Sequence, residues 1–141
     1  MKKMTNSELR DFLLTGTKTG KLATVRDDGR PHVATIWFDL DGDVLVFNTN
    51  KDSVKAKNMV RDKRVAITVD DQTPPFSFVT IEGTVSISDN PEELLHWATK
   101  IGGRYMGQNR AKDYGQRNAA EGELTVRIHP SKFRAFKDIA G

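Results

Sequence analysis

Apolar and polar positions alternate along most of this chain, and the alternation gives way to a helical period in only a few segments. Near the start, Leu9, Phe12 and Leu13 fall on one side of a helix predicted over residues 6–14. Thr5 and Glu8 have the spacing of a capping box at its N-terminus. Gly16 and Gly20 break that pattern, and a period of two follows. Residues 21–26 read as a strand, 27–31 as a turn with Gly29 free to take positive φ, and 32–38 as the returning strand. Residues 39–43 read as a second turn and 44–48 as a third strand.

Residues 51–61 have helical character, with Ala56, Met59 and Val60 inward and Asp52 or Ser53 as the cap. Val65, Ile67 and Val69 then alternate with Ala66 and Thr68. After a loop over 70–75, Val79, Ile81, Val85 and Ile87 line one face of a long strand, with a bend or bulge expected at Gly83. Asn90-Pro91-Glu92-Glu93 opens a helix with a cap, a proline at the first position and acids at the positive end of its dipole. Leu94, Ala98 and Ile101 form its inner stripe, which Gly102 and Gly103 are expected to weaken. A polar helix is predicted over 110–119. Leu124, Val126 and Ile128 mark a late strand that Pro130 should end, with 133–136 as a further strand. Strands never alternate regularly with helices, so the class is mostly β (α+β): a small antiparallel barrel with flanking helices.

Composition narrows the possibilities. The chain has 141 residues, the size of one domain spanning 1–141, with a net charge of +3 and no cysteine. Disulfides, thiol nucleophiles and thiolate metal sites are excluded. No run approaches the ~20 apolar residues of a membrane span. The polar start lacks an apolar signal core, so a cytoplasmic protein is expected. His32, His96 and His129 are far apart and lack carboxylate companions, so no metal site is expected. No nucleophile elbow or Walker loop occurs, and no catalytic side chain is assigned.

One junction carries chemistry. Between Phe47 and Asn58 a strand gives way to a helix. A helix N-terminus offers unpaired N–H groups and a positive dipole end, which suit a phosphate. At 100° per residue Lys51, Lys55 and Asn58 fall on nearly one face, Ser53 adds a hydroxyl, and Thr49 lies just before. The same residues also suit a plain helix cap with solvated lysines. In the strand before it, Val33, Thr35 and Trp37 alternate with Ala34, Ile36 and Phe38. Both sides are apolar, as in a central core strand or as in a strand that offers one face to a flat ligand. Phe76 and Phe78, behind Pro74-Pro75, suit an interface, a pocket lip or the core.

The order of several short motifs resembles the pyridoxamine-phosphate-oxidase-like split barrels, and within them the F420-dependent branch of the flavin/deazaflavin oxidoreductases. These motifs are Gly20-Lys21-Leu22-Ala23-Thr24-Val25, Asp28-Gly29-Arg30-Pro31-His32-Val33, Lys55-Ala56-Lys57-Asn58-Met59, Ile81-Glu82-Gly83-Thr84-Val85, Arg104-Tyr105-Met106-Gly107 and the ending Leu124 to Pro130. The resemblance implies an FMN-binding-type split β-barrel, a homodimer with cofactor sites at the subunit interface, and a small-molecule substrate. Membrane and nucleic acid are not among the implied partners. It places Lys55, Asn58, Ser53 and Lys51 at the cofactor phosphate, Thr49 at the same junction, Thr35, Ile36 and Trp37 along the ring, and Phe76 and Phe78 reaching in from the other subunit. At Ser53 some relatives carry arginine, leaving Lys55, Lys57 and Arg61 to grip an acidic tail. The implied activity is hydride transfer from reduced coenzyme F420 to a conjugated acceptor such as a quinone, an unsaturated lactone or a tetrapyrrole. The alternatives are an FMN-binding flavoprotein and a non-catalytic carrier of a cofactor or haem-type ligand.

Overall fold

The computed structural model describes residues 1–141. Its elements are β1 (Lys2–Lys3), α1 (Asn6–Leu14), β2 (Gly20–Val25), β3 (Pro31–Ile36), β4 (Asp39–Asp41), β5 (Val44–Asn50), α2 (Val54–Arg61), β6 (Arg64–Asp71), β7 (Ser77–Ser88), α3 (Pro91–Met106), α4 (Ala111–Asn118) and β8 (Glu123–Lys137), with a 3-10 turn at Gln108–Arg110. All strands join one antiparallel sheet in the order β3-β2-β6-β7-β8-β5-β4, and β1 pairs with the end of β8.

The two edge strands of that sheet are consecutive in sequence. Only Trp37 and Phe38 separate β3 from β4. Three residue steps span no more than about 11 Å. The sheet must therefore curl until its ends nearly meet, without pairing to each other. That geometry is a split barrel.

Alternation explains what fills it. Leu22, Ile36, Phe38, Leu45, Phe47, Ile67, Val69, Val79, Ile81, Val126 and Ile128 point inward and are buried, with Leu13 of α1 and Met59 of α2 packed against them. Strand β5 departs from simple alternation because both its faces are covered. Leu45 and Phe47 face the barrel, while Val46 is sealed from outside by Trp97 and Ile101 of α3.

The structure corrects several sequence expectations. Residues 39–41 are a strand rather than part of a turn: Leu40 is buried and pairs with Leu45. The β3 strand ends at Ile36, so Trp37 and Phe38 form the crossing between sheet edges. Pro130 does not end the last strand. It sits opposite Gly83, where the β7–β8 register shifts, and a bulge places no ladder demand on proline's missing N–H. Gly83 leaves no room for a side chain there, since a Cβ would lie 2.3 Å from the His129 carbonyl oxygen.

The fourth correction concerns α3, which runs unbroken through Gly102 and Gly103 to Met106. These glycines let α4 approach closely. A Cβ on Gly102 would lie 2.6 Å from the Tyr114 Cβ, and one on Gly115 of α4 would lie 2.1 Å from Thr99 Oγ1. Likewise α2 begins at Val54 rather than at 51, and Val60 is turned outward at 61% exposure. No helix is long and apolar enough to cross a membrane.

Candidate functional site

The crossing from β3 to β4 is held from one side by the end of α3. Arg104 donates hydrogen bonds to the carbonyl oxygens of Phe38 and Leu13, each at 2.6 Å. The Tyr105 hydroxyl donates to the Lys18 carbonyl at 2.6 Å and accepts from the Phe38 N–H at 3.2 Å. The backbone groups that the strand break would strand are thus satisfied. Burial raises the Tyr105 phenol above its ordinary value, against the opposing pull of the Phe38 N–H and of Arg104. It stays a neutral donor at physiological pH.

The Tyr105 ring in turn backs Trp37. The two rings stack with centroids 4.9 Å apart and planes 1° from parallel. Trp37 remains 37% exposed. Its orientation is fixed on one face while the rest of the ring meets solvent. Thr35 and Val33 lie on the same side of β3 and are exposed. This settles the two-sided strand: β3 is an edge strand with one face on the core and one face open.

Beside Trp37 lies a cleft of about 330 Å³, lined by Thr35, Ile36, Trp37, Asn48, Lys55, Ile101, Asn118 and Glu123. That volume is at the small end of ligand pockets, ~300–1,000 Å³. Four sequence-predicted residues meet here: Thr35, Ile36, Trp37 and Lys55. Lys55 is the second residue of α2, and no acidic side chain pairs with its ammonium. Its N–H is one of the orphan donors at a helix start, because Ser53 caps Ala56 instead. An uncommitted ammonium and an uncommitted amide on one residue suit an anion.

The other predicted residues are placed elsewhere. Ser53 Oγ accepts from the Ala56 N–H and bonds Thr49 Oγ1 at 2.9 Å, so both hydroxyls are occupied in forming the strand–helix junction. Lys51 precedes the helix, so the 100° rule does not apply to it. Its N–H donates to the Gly122 carbonyl and its side chain runs beside Gly122. Asn58 is buried and off the cleft, donating to Thr24 Oγ1 at 3.0 Å and accepting from Arg61. It fastens α2 to β2. Phe76, 40% exposed with φ of 66° just before β7, and Phe78, packed on Phe136 at the start of β7, do not line this cleft.

Asn48, Ile101, Asn118 and Glu123 were not singled out as site residues in the sequence. Asn48 alone lay within the flagged junction; its amide donates to the Leu124 carbonyl at 3.3 Å. Ile101 reads as core, and it is. Asn118 reaches the cleft only because the glycine contacts seat α4 against α3. A larger cavity of about 990 Å³ lies between α1, the β4–β5 turn and the second half of β8, and contains none of the predicted site residues.

Comparison with known proteins agrees with this architecture. Residues 5–137 match the family model described as pyridoxamine 5'-phosphate oxidase. Among solved structures, the conserved hypothetical protein Rv2991 of Mycobacterium tuberculosis is 28% identical, with a TM-score of 0.84 over 96% of this chain and 86% of that one. A protein described as an F420 reductase is 29% identical, with a TM-score of 0.72 over 88% of this chain and 94% of its own. The heme storage protein HutZ of Vibrio cholerae, 20% identical, shares the fold with a TM-score of 0.71 over 93% and 92%.

Proposed function

Since the chain belongs to the pyridoxamine 5'-phosphate oxidase family, we propose that it is an F420-dependent oxidoreductase that delivers a hydride to a small conjugated organic acceptor. The carrying observation is the cleft in which the free ammonium of Lys55 and the open wall of Thr35, Ile36 and Trp37 face the same space. The similarity to an F420 reductase over most of both chains supports the choice of cofactor.

The residues present fit a phosphorylated, ring-bearing cofactor. Lys55 would hold the phosphate with its ammonium and its backbone N–H. Trp37, braced by Tyr105, would orient the ring by stacking or edge contact. Ile36 and Ile101 would exclude water from the inner wall. When bound, reduced F420 supplies the hydride from a carbon of its ring, which is chemistry of the cofactor. The chain's share is binding and orientation, so proximity is its main contribution to rate. No side chain is assigned as proton donor; solvent serves.

A second copy of the chain belongs to this proposal. Strand β3 is an unpaired edge whose outer face shows Val33 at 65% exposure, and Trp37 just beyond its end is 37% exposed. A partner across that face would enlarge a cleft that is small in one chain, with Phe76 and Phe78 as its contributions.

The test is direct. Purified protein is titrated separately with F420 and FMN, and reduced F420 is followed by absorbance as quinone acceptors are added. Micromolar F420 binding and acceptor-dependent oxidation are expected. A charge-assisted hydrogen bond is worth ~1.5–3 kcal/mol, so Lys55→Met should weaken binding about 10- to 150-fold. Tight FMN binding with none to F420 would replace the deazaflavin assignment with the flavoprotein one. Binding of neither would end both.

A further inference from the structure

Glu123 is the one acidic residue lining the cleft, and its surroundings do not suit a permanent carboxylate. It begins β8, opposite Asn50 in the β5–β8 ladder. Its Oε2 is buried and has no hydrogen-bond partner. Around it stand Lys55 from α2, Asn48 from β5, Asn118 from α4, Ile101 from α3 and the Thr35–Trp37 wall from β3. Lys51 runs beside the preceding Gly122. Lys55 is thus the charged group facing it across the cleft, and neither Lys55 nor Lys51 forms an ion pair with it within 4.0 Å. Burial raises the Glu123 carboxyl above its ordinary value, and the charge of Lys55 only partly opposes that.

A phosphate that seats on Lys55 brings a second negative group into the same small cleft. Two anions sharing one ammonium repel, and the more buried one gives way by taking up a proton. Protonation also turns the orphan oxygen from an acceptor without a donor into a donor facing an anion. We propose that Glu123 takes up a proton from solvent when the cofactor's phosphate seats beside Lys55, so that anion binding in this cleft is proton-coupled. The proposal rests on the cofactor reading above. Its consequence is pH dependence: the cleft holds phosphates more weakly while Glu123 is ionised and more tightly as it is neutralised.

Linkage gives the size. Between the Glu123 pKa of the free protein and that of the complex, one coupled proton costs about tenfold in affinity per pH unit as pH rises. F420, FMN, riboflavin and inorganic phosphate are titrated against wild type and Glu123→Gln across that pH range. The glutamine is isosteric, always neutral and still a donor. The titration of free FMN is the same in both experiments and cancels in the comparison. Wild type should lose FMN affinity about tenfold per pH unit more steeply than Glu123→Gln, and the two should converge at low pH. Riboflavin, lacking the phosphate, should show no difference in slope.

Equal FMN slopes in the two proteins would overturn the coupling and leave the redox reading standing. A Glu123-dependent slope for inorganic phosphate, with neither FMN nor F420 bound, would uphold the coupling and overturn the redox reading. No binding by any probe would overturn both.

Discussion

Replacing Gly102 with alanine sets two effects of known sign against each other. Gly102 lies inside α3, where alanine is favoured over glycine by ~1 kcal/mol. Yet its new Cβ would lie 2.6 Å from the Tyr114 Cβ on α4. That atom is attached directly to the backbone and cannot swing aside, so the helices must separate by roughly 1 Å, and overpacking of this kind costs ~1–3 kcal/mol. The clash should win, with a net loss of about 1 kcal/mol. Gly103 is the internal control, one residue further along the same helix. There the nearest atoms are the amide end of Gln108, at 2.8 Å, which can move away, and the Ala111 Cβ, at 3.0 Å, which need give only slightly. Gly103→Ala should stay within about 0.5 kcal/mol of wild type, because the propensity gain offsets the crowding. Urea unfolding measures both: the midpoint should fall by about 0.5 M for Gly102→Ala and barely move for Gly103→Ala. A Gly102→Ala protein more stable than wild type by about 1 kcal/mol would show that propensity alone governs the site, and the close α3–α4 contact that seats Asn118 would be refuted.

Asn58→Ala should lower stability by about 1–3 kcal/mol, since it strips a buried partner from Thr24 and from Arg61, while changing FMN or F420 affinity far less than Lys55→Met. An affinity loss matching that of Lys55→Met, with stability intact, would return Asn58 to the binding site. The ion pair of Lys137 with Glu8, which ties α1 to the end of β8, holds the Glu8 carboxyl down at about 2, chiefly through the hydrogen bond from Lys137. Its folded value lies below its unfolded one, so the stability it adds is present above about pH 4 and is lost as pH falls toward about 2. Lys137→Met should flatten the stability profile in that window, and added salt should shrink the difference, because both side chains are partly exposed. An unchanged acid limb at low salt would remove the pair from the account.

Much of the fold was legible because it is written in periods of two. The inward set of β2, β6 and β7 follows directly from alternation, and the capping box at Thr5–Glu8 and the Asn90-Pro91 start of α3 carry their own local chemistry. Local rules failed where a neighbour overrode them. Pro130 and Gly102 both read as interruptions. Each is accommodated by something distant in sequence: Gly83 across the bulge, Tyr114 on the next helix. The site divided in the same way. The strand–helix junction and its lysines were visible, as was the apolar wall of β3. Spacing alone could not tell Lys55, left free toward the cleft, from Asn58, three residues on and turned to Thr24.

By itself, then, the sequence determined the antiparallel strands, the helix caps and the place where a strand hands over to a lysine-bearing helix, since each depends on neighbours within a few residues. Only the tertiary structure decided that β3 and β4 are the two edges of one curled sheet, that Tyr105 braces Trp37, and that Glu123 shares a cleft with Lys55. The last two join residues dozens of positions apart, and the first is fixed by the whole sheet between those edges. They follow from how the barrel closes and the helices pack, which no local pattern encodes.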